Sequence, residues 1–311
     1  MAVLLCSTSE SVDDWAEALR SLSGIDLRVW PDAGDLTEID YAIVAHPPLG
    51  VLPSLPNLKA VQSLWAGIEH ITCDKDLDPT VPILRMIDPG LTGGMTEYVT
   101  MHAQRYHMLA HEFDLQQQQG NWQPRTPPLA SERKVGVLGL GVLGSDAAKR
   151  MADLGFQVHG WSRRPKTLDG VTCHHGDDGL FDLLEQVEIL ICLLPRTPET
   201  ENLIDSTTLN AMPEGACIIN AGRGELIVDE DLIAALDSGH IAGATLDVFR
   251  EEPLPADHPY WTHPRVTVTP HIASVTRIST ALPVVEQNLK RLMSGEKAED
   301  LPGLVDRKAG Y

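Results

Sequence analysis

The sequence predicts an α/β fold, and three observations lead there. Short apolar runs alternate with amphipathic stretches from one end of the chain to the other. A glycine-rich sextet at residues 139–144 lies between one of those apolar runs and a helical run. The 311 residues suffice for two domains, each with its own core. A content of 43% hydrophobic and 22% charged residues is that of a globular protein and excludes a disordered one.

Apolar runs predict strands at residues 2–6, 27–30, 41–45 and 58–64. A helix at 13–22 carries Asp13 and Asp14 in its first turn. A long helical pattern runs from near Met95 to Gln119, with Pro124 and the Pro127-Pro128 pair expected to end it. A second series of strands follows at 135–139, 157–161, 188–194, 216–220, 243–249 and 266–269. Helices fall between most of them, including 145–154 and 229–238, and a last helix covers 279–294. Trp15, Trp30 and Trp122 read as packing residues.

The formal net charge of -20 argues against nucleic acid or an anionic membrane as partner, because both need a basic footprint. It also means that an anionic ligand must find a local positive island. The five cysteines are scattered, with no CxxC pair, which fits free thiols in a reducing compartment. The apolar opening is too short for a signal peptide, and no run approaches the ~20 residues of a membrane span. The expectation is a cytoplasmic protein. His107 and His111 are four apart on a helix but lack a third ligand at recognisable spacing, so no metal is expected.

Gly139-Leu140-Gly141-Val142-Leu143-Gly144 has the form G-x-G-x-x-G. Alone such a sextet is weak. Here it follows a strand, opens a helix and is trailed by a second strand ending at Trp161, as dinucleotide binding requires. Glycines let the backbone turn tightly and approach a pyrophosphate, whose charge sits at the helix N-terminus. The bland alternative is a βαβ turn without a ligand. Binders of NAD usually carry an acid at the end of the second strand. This chain has Trp161-Ser162-Arg163-Arg164-Pro165-Lys166, and no acid before Asp169. A hydroxyl and two guanidinium groups suit a 2′-phosphate, so NADPH is expected over NADH. A solvated basic loop is the alternative.

Three further segments begin at ends of predicted strands: Asn220-Ala221-Gly222-Arg223-Gly224, the run from Leu246 through Asp247 to Glu252, and Thr269-Pro270-His271. They offer an arginine, a carboxylate and a histidine. Hydride transfer to a 2-oxo acid needs a cation on the substrate carboxylate and carbonyl, an imidazolium to protonate the developing alkoxide, and a carboxylate to orient that imidazole. Glu251 neighbours Glu252, and the position before Pro253 favours Glu252.

With these segments, the sequence resembles the D-isomer-specific 2-hydroxyacid dehydrogenases over nearly its whole length. Its glyoxylate/hydroxypyruvate reductase branch is matched by His46-Pro47-Pro48, by the run from Leu194 and Pro195 to Thr200, by residues 234–239 and by the ending 305–311. The resemblance implies two doubly wound domains, Rossmann-like and flavodoxin-like, the nucleotide domain (93–276) inserted into the substrate domain (1–92 with 277–311). The substrate is then expected in the cleft between them. It implies that Arg223 binds the substrate carboxylate and carbonyl, that His271 is the proton donor in reduction, and that Glu252 orients it. Asp247 matches the acid that holds the nicotinamide carboxamide. Gly139, Gly141, Val142, Leu143, Gly144, Ser162, Arg163, Arg164, Leu194, Pro195, Thr200 and Ala221 are implied as further cofactor contacts.

Ala66 and Gly67 match the loop whose N–H groups receive the substrate carboxylate. Two departures stand beside them: Glu69 occurs where Asp is usual, and Trp65 replaces a residue that is often small. A tryptophan facing the substrate favours small 2-oxo acids, glyoxylate and hydroxypyruvate above all. The resemblance also implies a homodimer using the helix near 95–119. The alternatives are an enzyme for a bulkier 2-oxo acid and a non-catalytic, cofactor-sensing protein of the same fold.

Overall fold

The computed structural model describes residues 2–9 and 11–307. Residues 308–311, part of the chain ending named above, lie outside them. In chain order the regular elements begin with β1 (Ala2–Ser7), α1 (Val12–Arg20), β2 (Asp26–Val29), β3 (Ile39–Ala45), β4 (Ala60–Ser63), α2 (Glu69–Thr72) and β5 (Ile83–Leu84). They continue with α3 (Pro89–His107), α4 (Ala110–Gln118), β6 (Lys134–Leu138), α5 (Val142–Asp153), β7 (Gln157–Ser162), β8 (Val171–His175) and α6 (Gly176–Leu184). The last are β9 (Ile189–Cys192), α7 (Ser206–Ala211), β10 (Ala216–Asn220), α8 (Asp229–Ser238), β11 (Ile241–Leu246), β12 (Val266–Val268) and α9 (Ile278–Met293).

The chain divides into two compact units, Met1–Leu91 with Val275–Tyr311, and Thr92–Ser274. The first holds a parallel sheet of order β2-β1-β3-β4-β5. Its central strands β1 and β3 are buried on both faces, so they read as nearly unbroken apolar runs. Val3 and Leu5 pack with Trp15 and Leu19 of α1 and with Val285 and Leu289 of α9, while Leu4 and Cys6 join a separate cluster with Val44 and Ile71. That alternation is the two-residue period of a strand.

The second unit holds a parallel sheet of order β12-β11-β10-β9-β6-β7-β8. The order reverses between β6 and β9, and open α/β sheets bind ligands at such a switch, beyond the carboxyl ends of their strands.

Several expectations are corrected. The helix expected near 95–119 starts earlier and is two helices. Asp88 accepts the N–H groups of Gly90 and Leu91 at 2.8 and 3.1 Å, capping α3, with Pro89 at the first helical position. Leu109 then takes a left-handed conformation with φ 58°, which separates α3 from α4. α4 ends just before Gly120 (φ 62°), ahead of the prolines. The strands β5 and β8 were not expected; the one has two residues, the other is a polar edge strand. The strand expected at 243–249 ends at Leu246, which frees Asp247 for a loop. Trp15 is a packing residue at 1% exposure, but Trp122 is 93% exposed, in a stretch with no regular structure to bury it.

The break at Leu109 turns His107 and His111 to different partners, Phe156 and Tyr106. His102 lies against Tyr98. Burial, reinforced by the Arg105 charge, pulls the imidazoles of His102 and His111 down to about 4. Both are therefore neutral in the fold, while the unfolded chain protonates them near pH 6.5. Stability that is complete above pH 6.5 is lost as pH falls towards 4, by roughly 3 kcal/mol for each histidine. Denaturant titrations from pH 7 to 4.5 should show this loss, and His102→Leu should flatten it. An unchanged slope in that variant would rule out His102 as a contributor.

Candidate active site

The candidate site residues of the second unit gather at the carboxyl ends of its strands. Gly139 follows β6 with φ 98°, and a Cβ there would meet the Leu193 carbonyl oxygen at 2.7 Å. At Gly144 it would meet the Gly139 oxygen at 1.8 Å, so α5 packs on the loop with no room for a side chain. At Gly141 it would meet nothing within 4 Å. The loop is thus closed towards the protein and open at the N-terminus of α5, where Val142 is exposed and Leu143 half-buried. That cradle fits a dinucleotide pyrophosphate.

Ser162 ends β7, and its hydroxyl donates to the Arg164 carbonyl at 2.9 Å, closing a tight turn with Arg163 and Arg164 exposed. After β9, Leu194 is buried. The Thr200 hydroxyl donates to the Pro195 carbonyl at 2.7 Å and accepts the Thr197 N–H at 2.8 Å, folding the segment back on itself.

After β10 comes Ala221, then Arg223. Asn220, 1% exposed, was quoted in the motif without a role. Its side chain accepts the Gly222 N–H at 3.1 Å and donates to the Arg223 carbonyl at 2.9 Å, so it shapes the turn that presents the guanidinium. A Cβ on Gly224 would strike the Phe249 carbonyl carbon at 1.9 Å, which brings this turn against the loop after β11.

Glu252 and His271 meet at 2.7 Å, Oε2 to Nδ1, and the other carboxylate oxygen accepts the Phe249 N–H at 2.9 Å. Glu251 makes no such contact among those described. The bond from Glu252 raises the His271 pKa above the usual imidazole value, against burial and the nearby Arg223 charge. Burial pushes Glu252 up, but the His271 bond, the Phe249 N–H and the charges of His271 and Arg223 outweigh it and hold the carboxyl low. The result is an ion pair with Arg223 close enough to act on both members.

His271 itself has φ 54°. Asp247, 1% exposed, holds it there. The Asp247 carboxylate accepts the Thr269 hydroxyl at 2.6 Å and the N–H groups of Ile272 and Ala273 at 2.9 and 2.8 Å, and its carbonyl accepts the His271 N–H at 2.9 Å.

Trp65, Ala66 and Gly67 belong to the first unit, after β4, where all three are half-buried. The Trp65 N–H donates to the Ser63 hydroxyl at 3.0 Å, and its indole meets the His70 ring edge-on at 4.6 Å. No helix among the described residues is long and apolar enough to cross a membrane.

Comparison with known proteins identifies relatives over the whole chain. The family model for the NAD binding domain of D-isomer specific 2-hydroxyacid dehydrogenases matches residues 100–273. A glyoxylate/hydroxypyruvate reductase A of Yersinia enterocolitica is 41% identical, over 96% of each chain. A D-isomer specific 2-hydroxyacid dehydrogenase of Xanthobacter autotrophicus, solved with NADPH, superposes with a TM-score of 0.94 at 41% identity, covering 100% of this chain and 99% of that one. An NADPH-dependent glyoxylate/hydroxypyruvate reductase of Sinorhizobium meliloti, solved with NADP, gives 0.91 at 33% identity with the same coverage. The cradle, the Arg-Glu-His arrangement and these matches place the chain in the D-isomer-specific 2-hydroxyacid dehydrogenase family.

Proposed function

We propose that this chain reduces small 2-oxo acids, glyoxylate and hydroxypyruvate first among them, with NADPH preferred over NADH. The observation that carries the reading is the His271–Glu252 bond of 2.7 Å beside Arg223, on the same strand ends as the glycine cradle. The names of the Yersinia and Sinorhizobium relatives support it.

In this reading residues 93–276 bind the cofactor, and 1–92 with 277–311 bind the substrate. The cofactor is held by Gly139, Gly141, Val142, Leu143, Gly144, Leu194, Pro195, Thr200 and Ala221, with Ser162, Arg163 and Arg164 on the 2′-phosphate. Asp247 uses its remaining lone pair for the carboxamide. NADPH, when bound, supplies the hydride for the carbonyl carbon. Arg223 binds the substrate carboxylate and polarises the carbonyl. His271 shares Nδ1 with Glu252, so Nε2 is the nitrogen that delivers a proton to the carbonyl oxygen. Glu252 keeps the imidazole protonated beforehand and fixes its direction. Ala66 and Gly67 keep the carboxylate-binding role, and Trp65 the limiting of substrate size, that the sequence resemblance implies. A homodimer fits the exposure of Met101 and Met108 on and beside α3, at 57% and 53%. A reducing compartment such as the cytoplasm fits five free thiols.

Purified protein should consume NADPH rapidly with glyoxylate and hydroxypyruvate and slowly with phenylpyruvate. Arg163→Ala/Arg164→Ala should raise KM for NADPH about 10-fold or more while leaving that for NADH nearly unchanged. Equal effects on both cofactors would remove the phosphate assignment. Glu252→Gln should lower the His271 pKa. Since reduction needs the protonated imidazole, the fall of rate with rising pH should then move to lower pH. A pH profile that stays in place would show that Glu252 is not the partner. Sedimentation at micromolar concentration should give a dimer, and a clean monomer would end that part of the proposal.

A further inference from the structure

Lys166 has no role in the reading above. It lies in the turn after β7, and its ammonium reaches back over the glycine loop. There it donates to the Leu140 carbonyl and, at 3.1 Å, to the Ser145 hydroxyl. Both acceptors are neutral, and among the described residues no carboxylate pairs with it.

Several other cations of this chain rest instead on carboxylates. Acidic residues outnumber Lys and Arg by 44 to 24, and Arg105, Arg133 and Arg196 each sit on a carboxylate. An ammonium on neutral acceptors keeps its charge available to an anion. The side chain is exposed, and its four-carbon stem lets the head move with little resistance. Its resting place is fixed by covalent neighbours on both sides. Leu140 stands between Gly139 and Gly141 in the cradle, and Lys166 follows Arg163 and Arg164 after a single proline. Gly160 helps to keep Leu140 there, because its missing side chain leaves room for the Leu140 methyls: a Cβ would approach one at 2.7 Å.

We propose that Lys166 is a third cation for the adenosine 2′-phosphate, and so a determinant of NADPH over NADH. It rests on the loop carbonyl and exchanges that neutral acceptor for the phosphate. The proposal depends on the cofactor reading above and extends it to a residue outside the assigned set. The competing role is a latch that ties the turn to the glycine loop, and a latch acts on every adenine nucleotide alike.

Calorimetric binding of 2′,5′-ADP and 5′-AMP, which differ only in the 2′-phosphate, separates the two. Lys166→Met should weaken 2′,5′-ADP about 10-fold and leave 5′-AMP unchanged, the loss expected for one charge-assisted hydrogen bond. Lys166→Arg should recover most of that affinity. The KM ratio of NADPH to NADH should follow the binding ratio. Equal weakening of both nucleotides would make Lys166 a latch, and no weakening of either would remove it from the site. If wild-type protein does not distinguish the two nucleotides, the NADPH reading itself fails. If Arg163→Ala/Arg164→Ala abolishes the distinction while Lys166→Met retains it, only the Lys166 assignment fails.

Discussion

Asp247 carries three hydrogen bonds on a carboxylate that is 1% exposed, and the order of the second unit's strand ends depends on them. Taking a carboxylate out of water costs several kcal/mol, and charge-assisted bonds of roughly 1.5–3 kcal/mol each are what offset it. The donors all come from 269–273, so the charge cannot be satisfied unless that segment wraps around it. Thr269 spends its only hydroxyl proton on Asp247, so Tyr98, 2.7 Å away, must be the donor in the bond between the two hydroxyls. Burial raises the Tyr98 pKa, which keeps that proton in place. A helix, a strand end and a loop are thereby tied to one charge.

The parallel sheet makes such an arrangement economical. Every strand of the second unit delivers its chain to the same edge, so residues far apart in sequence arrive as neighbours without any special path. Asn220 at the end of β10 and Asp247 just past β11 solve the same problem there. Each is a buried polar side chain that fixes a loop: Asn220 bonds the backbone of the turn it begins, and Asp247 bonds the segment that follows β12. The half-buried Arg223 and the exposed His271 stand on turns that buried groups hold.

Much of this was legible. Long buried strands announce themselves as apolar runs, and glycines that contact backbone at 139 and 144 are visible because no other residue fits. The Arg, Glu and His were found because their chemistry is uncommon at strand ends. What escaped had no compositional mark. The turn at Leu109 uses neither glycine nor proline. β8 is an edge strand of polar character, and β5 is two residues long. Asn220 and Lys166 were in view as letters, but an amide that braces a turn and a lysine that folds back on a carbonyl are defined by partners, which a linear sequence does not display. Trp122 misled for the opposite reason: size suggests a core, and only the surrounding backbone shows that none is there.

The positive φ at His271 carries an evolutionary consequence. A non-glycine side chain in that conformation costs roughly 1–2 kcal/mol, and glycine relieves it. The imidazole is half exposed, so a smaller side chain there forfeits only part of the burial of a core residue. Stability and chemistry therefore pull this position in opposite directions. A lineage released from selection on activity would drift towards a sturdier chain that has lost its histidine, while one that keeps the histidine bears the strain in every generation.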